Sequence, residues 1–316
     1  MRRIAPTALA LALVLTPVAR ADAPRGWTPH VRAAAAYAAG RTGDVSFAVR
    51  TERKAWTWRG TTPYRSASIV KAMLLVAYLR RAEVRRRALT AAERGLLDPM
   101  VRMSDNDAAD AIHARVGVAG LAAVGAKVRM RGFVAYPVWG GSTVTADDQA
   151  RFFLRVDRLV PRRHRAYALG LLRTVIPAQR WGIAAAVPRG WRIAFKGGWG
   201  KGVTREVAHQ AALLTHGRLR VAVAVLTADN PSDEYGAATQ QGVAARLLRG
   251  LSGRLEGRAR RTREGLGRSP GSALAEHGAQ QHQDDDGRVG HDVRWGSGFA
   301  WHTGFDDWTT LLFQSQ

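Results

Sequence analysis

"RSASIVKAMLLVAYLR", residues 65–80, sets Lys71 in an otherwise apolar stretch, three residues after Ser68. Ile69, Val70, Met73, Leu74, Leu75 and Val76 read as a helix packed in a core, from about 68 to 83. Positions i and i+3 share a helix face. Burial strips a lysine of its proton, and a neutral amine beside a hydroxyl makes that hydroxyl a nucleophile. A serine at a helix start also offers its backbone N–H, and the positive end of the helix dipole, to an oxyanion. The plain alternative is a serine N-cap and a lysine that reaches solvent along the helix surface. Composition draws attention to the lysine. Of 48 basic residues only five are Lys, at 54, 71, 127, 196 and 201. Arginine stays protonated, so a base must be sought among these five.

Before that stretch, "GDVSFAVRT" (43–51) alternates like a strand and "KAWTWRG" (54–60) like its hairpin partner, after a helix at 30–39. Residues 90–174 show helical spacing throughout. Strand patterns return at 191–198, 207–216 and 219–228. A last helix, 234–251, follows the start signal Asn230-Pro231-Ser232-Asp233. The expected fold is α/β in the α+β sense: an antiparallel five-stranded sheet flanked by helices, beside an all-helical lobe at about 72–190. A cleft between two such lobes is where a site is expected.

Residues 1–21 read as an export signal. Arg2 and Arg3 precede an apolar run from Ile4 to Val18, and Ala19-Arg20-Ala21 fits a cleavage site. The run is too short for a membrane span, so a secreted or envelope location is expected, with the mature domain at 22–251. The chain has no cysteine, which removes thiol catalysis and disulfides. Residues 22–251 hold 37 basic and 16 acidic residues, a surplus of 21. Such a surface attracts anionic cell-wall polymers, although high arginine usage alone also produces it. No basic run with interleaved aromatics marks a nucleic-acid groove. Residues 252–316 turn polar and Gly-rich and read as a disordered tail, either a linker with a docking segment at 299–313 or an out-of-frame extension.

Two further motifs follow Ser68-x-x-Lys71. Ser104-Asp105-Asn106 opens a helical stretch: a hydroxyl there can relay a proton, and an amide can hold a carbonyl and a lysine. The same residue types also cap ordinary helices. Phe195-Lys196-Gly197-Gly198-Trp199-Gly200 ends a strand-like run. Glycines on an edge strand let a substrate lie along the backbone, although a Gly-rich hairpin reads the same way.

In this order the three motifs resemble the Ser-x-x-Lys, Ser-Asp-Asn and Lys-Thr/Ser-Gly set of class A serine β-lactamases and their penicillin-binding relatives, over about 27–251. The resemblance implies a monomeric β-lactamase/transpeptidase-like serine hydrolase without metal or cofactor. Its expected substrates are β-lactams or D-Ala-D-Ala-type amides. By the same resemblance Ser68 is the acylated nucleophile, Lys71 its base, and Ser104 a proton relay. Asn106 binds the acyl side chain. Lys196 adds positive charge and lowers the basicity of Lys71. Gly198 lines the substrate strand, and the N–H groups of Ser68 and Trp199 form the oxyanion hole.

Two departures stand out. Gly197 replaces the family's Thr or Ser, and no Glu occurs between Glu93 and Glu206. The family's water-activating Glu belongs before the helix near 145, yet "MRGFVAYPVWGGSTVT" (130–145) contains no acid. Asp147 and Asp148 are nearest, but Thr145 reads as an N-cap with Asp148 at N3. Fast acylation and slow release are therefore expected. The spacing from Ser68 to Ser104 also implies a trimmed helical lobe. A D,D-peptidase or esterase on the same scaffold, and a non-catalytic wall- or polyanion-binding module, remain alternatives. Gly267-Arg268-Ser269-Pro270-Gly271 lacks the strand and helix its motif requires. The tail histidines 277, 282, 291 and 302 read as solvated, and His113 and His209 as structural. Trp139 and Trp199 fall near the expected cleft.

Overall fold

The computed structural model describes residue 24 and residues 26–251. The export-signal and tail readings, with the Gly-x-Ser-x-Gly match and the tail histidines, lie outside the described residues. Elements follow in chain order: α1 (Val31–Ala39), β1 (Asp44–Arg50), β2 (Ala55–Trp58), β3 (Tyr64–Arg65), a 3-10 turn (Ala67–Val70), α2 (Lys71–Leu79), α3 (Ala91–Arg102) and α4 (Asn106–Lys127). Then come β4 (Thr143–Val144), α5 (Ala146–Leu159), α6 (Arg165–Arg173), β5 (Arg192–Lys201), β6 (Glu206–His216), β7 (Leu219–Asn230) and α7 (Asp233–Leu247). The sheet runs β2-β1-β7-β6-β5, every pairing antiparallel, as expected; β3 and β4 form a separate two-stranded ribbon.

The period-2 pattern of the strands decides what each face meets. Val45, Phe47 and Val49 of β1, Val221, Val223 and Val225 of β7, and Ile193 and Phe195 of β5 pack with Val243, Ala244 and Leu247 of α7. The alternate positions are small: Ala48, Ala194, Ala211, Ala222 and Ala224 let α5, α6 and the 3-10 turn before α2 lie close on the other face. Lys196 and Gly198 share the parity of Ala194. The face that packs on the 3-10 turn before α2 therefore also presents a lysine and a bare backbone.

Every residue of α2 is buried. A helix apolar all round belongs in the centre of a core, and Lys71 is its one charged group. The helix is shorter than its pattern predicted. It ends at Leu79, where Arg80 Nη1 donates to Leu159 O, and the exposed arginines 85–87 follow in a turn. The α3 start is held by a capping box: Glu93 N donates to Thr90 Oγ1, and the Glu93 carboxylate accepts from Thr90 N. The long α4 contains a break at Gly117, whose φ of 68° no helical residue adopts. Among the described residues no helix is long and apolar enough to cross a membrane.

Candidate active site

Ser68 lies in the 3-10 turn that runs into α2, with Lys71 N–H bonded to Ser68 O. A 3-10 turn eclipses side chains three apart, so Ser68 and Lys71 point the same way more closely than in an α-helix. Ala67, just before, takes φ 44°, a left-handed setting that lifts the serine at the start of the buried helix. Ser66 fixes the base of this turn. Its N–H donates to Ser142 O at 2.7 Å, and its Oγ to Trp139 O at 3.1 Å.

Lys71 is fully buried. Its Nζ donates to Ser104 O at 2.5 Å and to Asn106 Oδ1 at 2.7 Å. Burial pushes its pKa down to about 7, with the charges of Asp105 and Asp110 opposing the shift. A neutral amine has two N–H donors and one lone pair. The two short bonds use both donors and leave the lone pair for a proton; a third, longer contact reaches Ser104 Oγ at 3.5 Å.

Ser104 sits between α3 and α4 with φ 66°. Glycine favours this setting, but glycine has no hydroxyl, and here the turn aims both the carbonyl and the hydroxyl inward. Lys196 Nζ donates to Ser104 Oγ at 3.0 Å and to Gly197 O at 2.8 Å. Lys196 is itself fully buried; that burial, and then the charge of Lys71, hold its pKa well below the ordinary lysine value. Ser104 therefore bridges the two lysines. Asp105 caps α4 by accepting from Ala108 N at 2.7 Å, which sets Asn106 as the first helical residue, facing Lys71.

Gly198 brings the edge strand β5 against the serine. A Cβ there would lie 2.8 Å from Ser68 N and 2.6 Å from Ile69 N, so only glycine permits the approach. The motif is strand, not the alternative hairpin turn: β5 continues through Trp199 to Lys201. Trp199 is half-buried, 5.8 Å from Lys196 Nζ measured to the ring centroid, and edge-on to Trp181. The structure thus gathers Lys71, Ser104, Asn106 and Lys196 by direct bonds and sets Gly198 on Ser68.

Two residues at the site escaped the sequence reading, and a third was noted only by position. Trp139 was expected merely near the cleft; its ring centroid lies 4.7 Å from Lys71 Nζ. Asp110, one α4 turn beyond Asn106, accepts from Trp139 Nε1 at 2.6 Å. Trp181 covers Gly197, where a Cβ would meet its ring at 3.4 Å. Asp147 and Asp148 are engaged elsewhere. Asp147 pairs with Arg50 at 2.5 Å and Arg151 at 3.1 Å. Asp148 N donates to Thr145 Oγ1, the expected cap. The Asp148 carboxylate accepts from the N–H groups of Arg131 and Gly132 in place of the reciprocal cap bond. His209 is structural: its Nε2 bonds Arg65 O, and burial lowers its pKa to about 4.

The overall fold is that of the serine β-lactamases and penicillin-binding proteins. A β-lactamase from Sphaerobacter thermophilus superposes with a TM-score of 0.61 at 21% identity, over 71% of this chain and 98% of that one. A β-lactamase from Xanthomonas campestris gives 0.60 at 17%, over 70% and 97%. The structure of PBP-A gives 0.60 at 16%, over 71% and 96%. The model of the β-lactamase enzyme family matches residues 90–251, half of the chain, and the chain belongs to that family. The matched region holds Ser104, Asn106, Lys196 and Gly198, whereas Ser68 and Lys71 precede it. No curated protein matches the chain.

Proposed function

We propose that this protein is an exported active-site-serine hydrolase of the β-lactamase type, acylated at Ser68 by β-lactams or D-Ala-D-Ala-type amides, with slow release of the acyl group. The observation that carries the reading is the buried Lys71. Its pKa is lowered to about 7 and its N–H donors are bound to Ser104 O and Asn106 Oδ1, three residues from Ser68. Ser68 Oγ attacks the carbonyl carbon and passes its proton to the Lys71 lone pair. The backbone N–H groups of Ser68 and Trp199 receive the oxyanion, beside a strand kept bare at Gly198. As the C–N bond breaks, the Ser104 hydroxyl protonates the leaving nitrogen and is reprotonated by the Lys71 ammonium, whose Nζ lies 3.5 Å from Ser104 Oγ. Asn106 keeps its side-chain N–H groups for the acyl carbonyl.

Slow release is supported by the carboxylates near the helix at 146–159, since Asp147 and Asp148 are both bound to other partners. Export is supported by the composition of residues 1–21, and N-terminal sequencing of the secreted protein tests it.

Intact mass measured over time after exposure to benzylpenicillin tests the chemistry. The expected result is rapid addition of one acyl group, its slow loss, and no addition to Ser68→Ala. An unlabelled wild type, or equal labelling of the variant, overturns the assignment. Turnover of nitrocefin relative to an acyl-D-Ala-D-Ala peptide then assigns lactamase or peptidase.

A further inference from the structure

Trp139 is fastened at two points. Its backbone oxygen accepts from Ser66 Oγ, two residues before Ser68, and its indole N–H donates to Asp110 at 2.6 Å. The indole is 5% exposed and presents its face to Lys71 Nζ at 4.7 Å. Lys71 is thereby enclosed by Ser104 and Asn106 through hydrogen bonds and by an indole face that offers a water no strong acceptor. Asp110 itself is exposed on α4, so its bond to the indole is not needed to bury or cap anything. Asp105, the other carboxylate acting on Lys71, already accepts from Ala108 N.

We propose that Trp139 shields the acyl-enzyme from hydrolysis, and that Asp110 is the positioning residue that holds the indole over Lys71. The inference rests on acylation at Ser68 as read above. Release requires water to attack the ester carbonyl, the bond from that carbon to Ser68 Oγ to break, and the water's proton to reach Ser68 Oγ. Lys71 is the group beside Ser68 able to pass that proton, and the indole fills the space from which a water would approach it. The same ring faces the lysine N–H groups and accepts their partial positive charge.

The test follows acylation and release separately by intact mass on the full chain, Asp110→Ala, Trp139→Phe and the double variant, with benzylpenicillin. At about pH 9 the Lys71 amine is neutral in every variant, so loss of the Asp110 charge does not alter its protonation. Asp110→Ala is an exposed helix position that accepts alanine, and Trp139→Phe keeps a ring while removing the N–H. Both single variants are expected to release the acyl group about tenfold faster, the kinetic equivalent of one charge-assisted hydrogen bond. Release is read as the first-order loss of label after acylation is complete, so a change in the acylation rate does not enter it, and the double variant releases no faster than either single one. Release at the wild-type rate overturns the shield. Slower release in Asp110→Ala also overturns it, and makes Asp110 the base that activates water. A wild type that takes no label overturns acylation at Ser68 and the shield with it, so the two failures are distinguishable.

Discussion

Gly198 stands against Ser68 so closely that a methyl group at 198 would lie 2.8 Å from the serine's amide nitrogen. That nitrogen belongs to the proposed oxyanion hole, so the glycine sets the distance between its two halves. Gly198→Ala is expected to push β5 away from the 3-10 turn. A displacement of about 1 Å costs on the order of 100-fold in rate. Acylation by benzylpenicillin, followed by stopped-flow or mass, should fall by about that factor while the melting temperature drops only modestly. A variant acylating at the wild-type rate would show that the hole lies elsewhere.

Lys71 gives the acylation rate its pH dependence. With a pKa of about 7, the amine is protonated and inactive below that value and neutral above it. The rate should climb about tenfold per pH unit below pH 7 and reach a plateau above it. Lys71→Arg cannot deprotonate and should lose about 10²–10⁴-fold in acylation. The same shift acts on stability. Between about 7 and the ordinary 10.5 the unfolded chain binds a proton that the folded chain does not. Stability therefore rises with pH across that window, and below it the full cost of burying the charge remains. Lys196, lowered for the same reason, adds in the same direction. A pH–rate profile with no inflection near 7 would remove Lys71 as the base.

Asp147 and Asp148 offer a paired test of whether either carboxylate activates water. Asp147 is partly exposed and shared by Arg50 and Arg151, so Asp147→Ala should cost no more than about 1 kcal/mol. Asp148 is buried and accepts two backbone N–H groups at 131 and 132. Asp148→Ala should cost about 1–3 kcal/mol for those orphaned donors. Urea unfolding measures both. Neither substitution is expected to slow acyl release, and slower release in Asp147→Ala would make Asp147 the missing base.

What the sequence disclosed about the site follows from local periodicity. A strand-like run placed Lys196 beside glycines at an edge, and a three-residue offset placed Ser68 beside Lys71. Features made by tertiary contact left no local mark. Ser104 adopts φ 66° although serine signals no such turn. Trp139 and Asp110 are 29 residues apart and meet only because the segment before α5 folds back on α4. The acid-free run at 130–145 pointed to something unusual there, but an absent carboxylate does not announce the indole that lies on Lys71. The sequence pattern carries α2 past its end at Leu79 because the arginines of 80–87 continue a helical pattern in composition. Their charge, beside a fully buried helix, instead requires the chain to turn outward.

Gly197 lies on the opposite face from Lys196, and a Cβ there would reach ordinary contact with Trp181 at 3.4 Å. Its backbone does not require glycine, since its φ is not among the positive ones. Gly197→Ser should therefore fold and place a hydroxyl at the strand edge, as the Lys-Thr/Ser-Gly motif it resembles would. One hydrogen bond to a charged group is worth about 1.5–3 kcal/mol. The variant should bind benzylpenicillin, which carries a carboxylate, about tenfold or more tightly, and its neutral methyl ester no better than the wild type does. Acylation kinetics over a range of ligand concentration separate binding from chemistry. Equal gains for acid and ester would mean that the hydroxyl orders the strand and does not read the carboxylate.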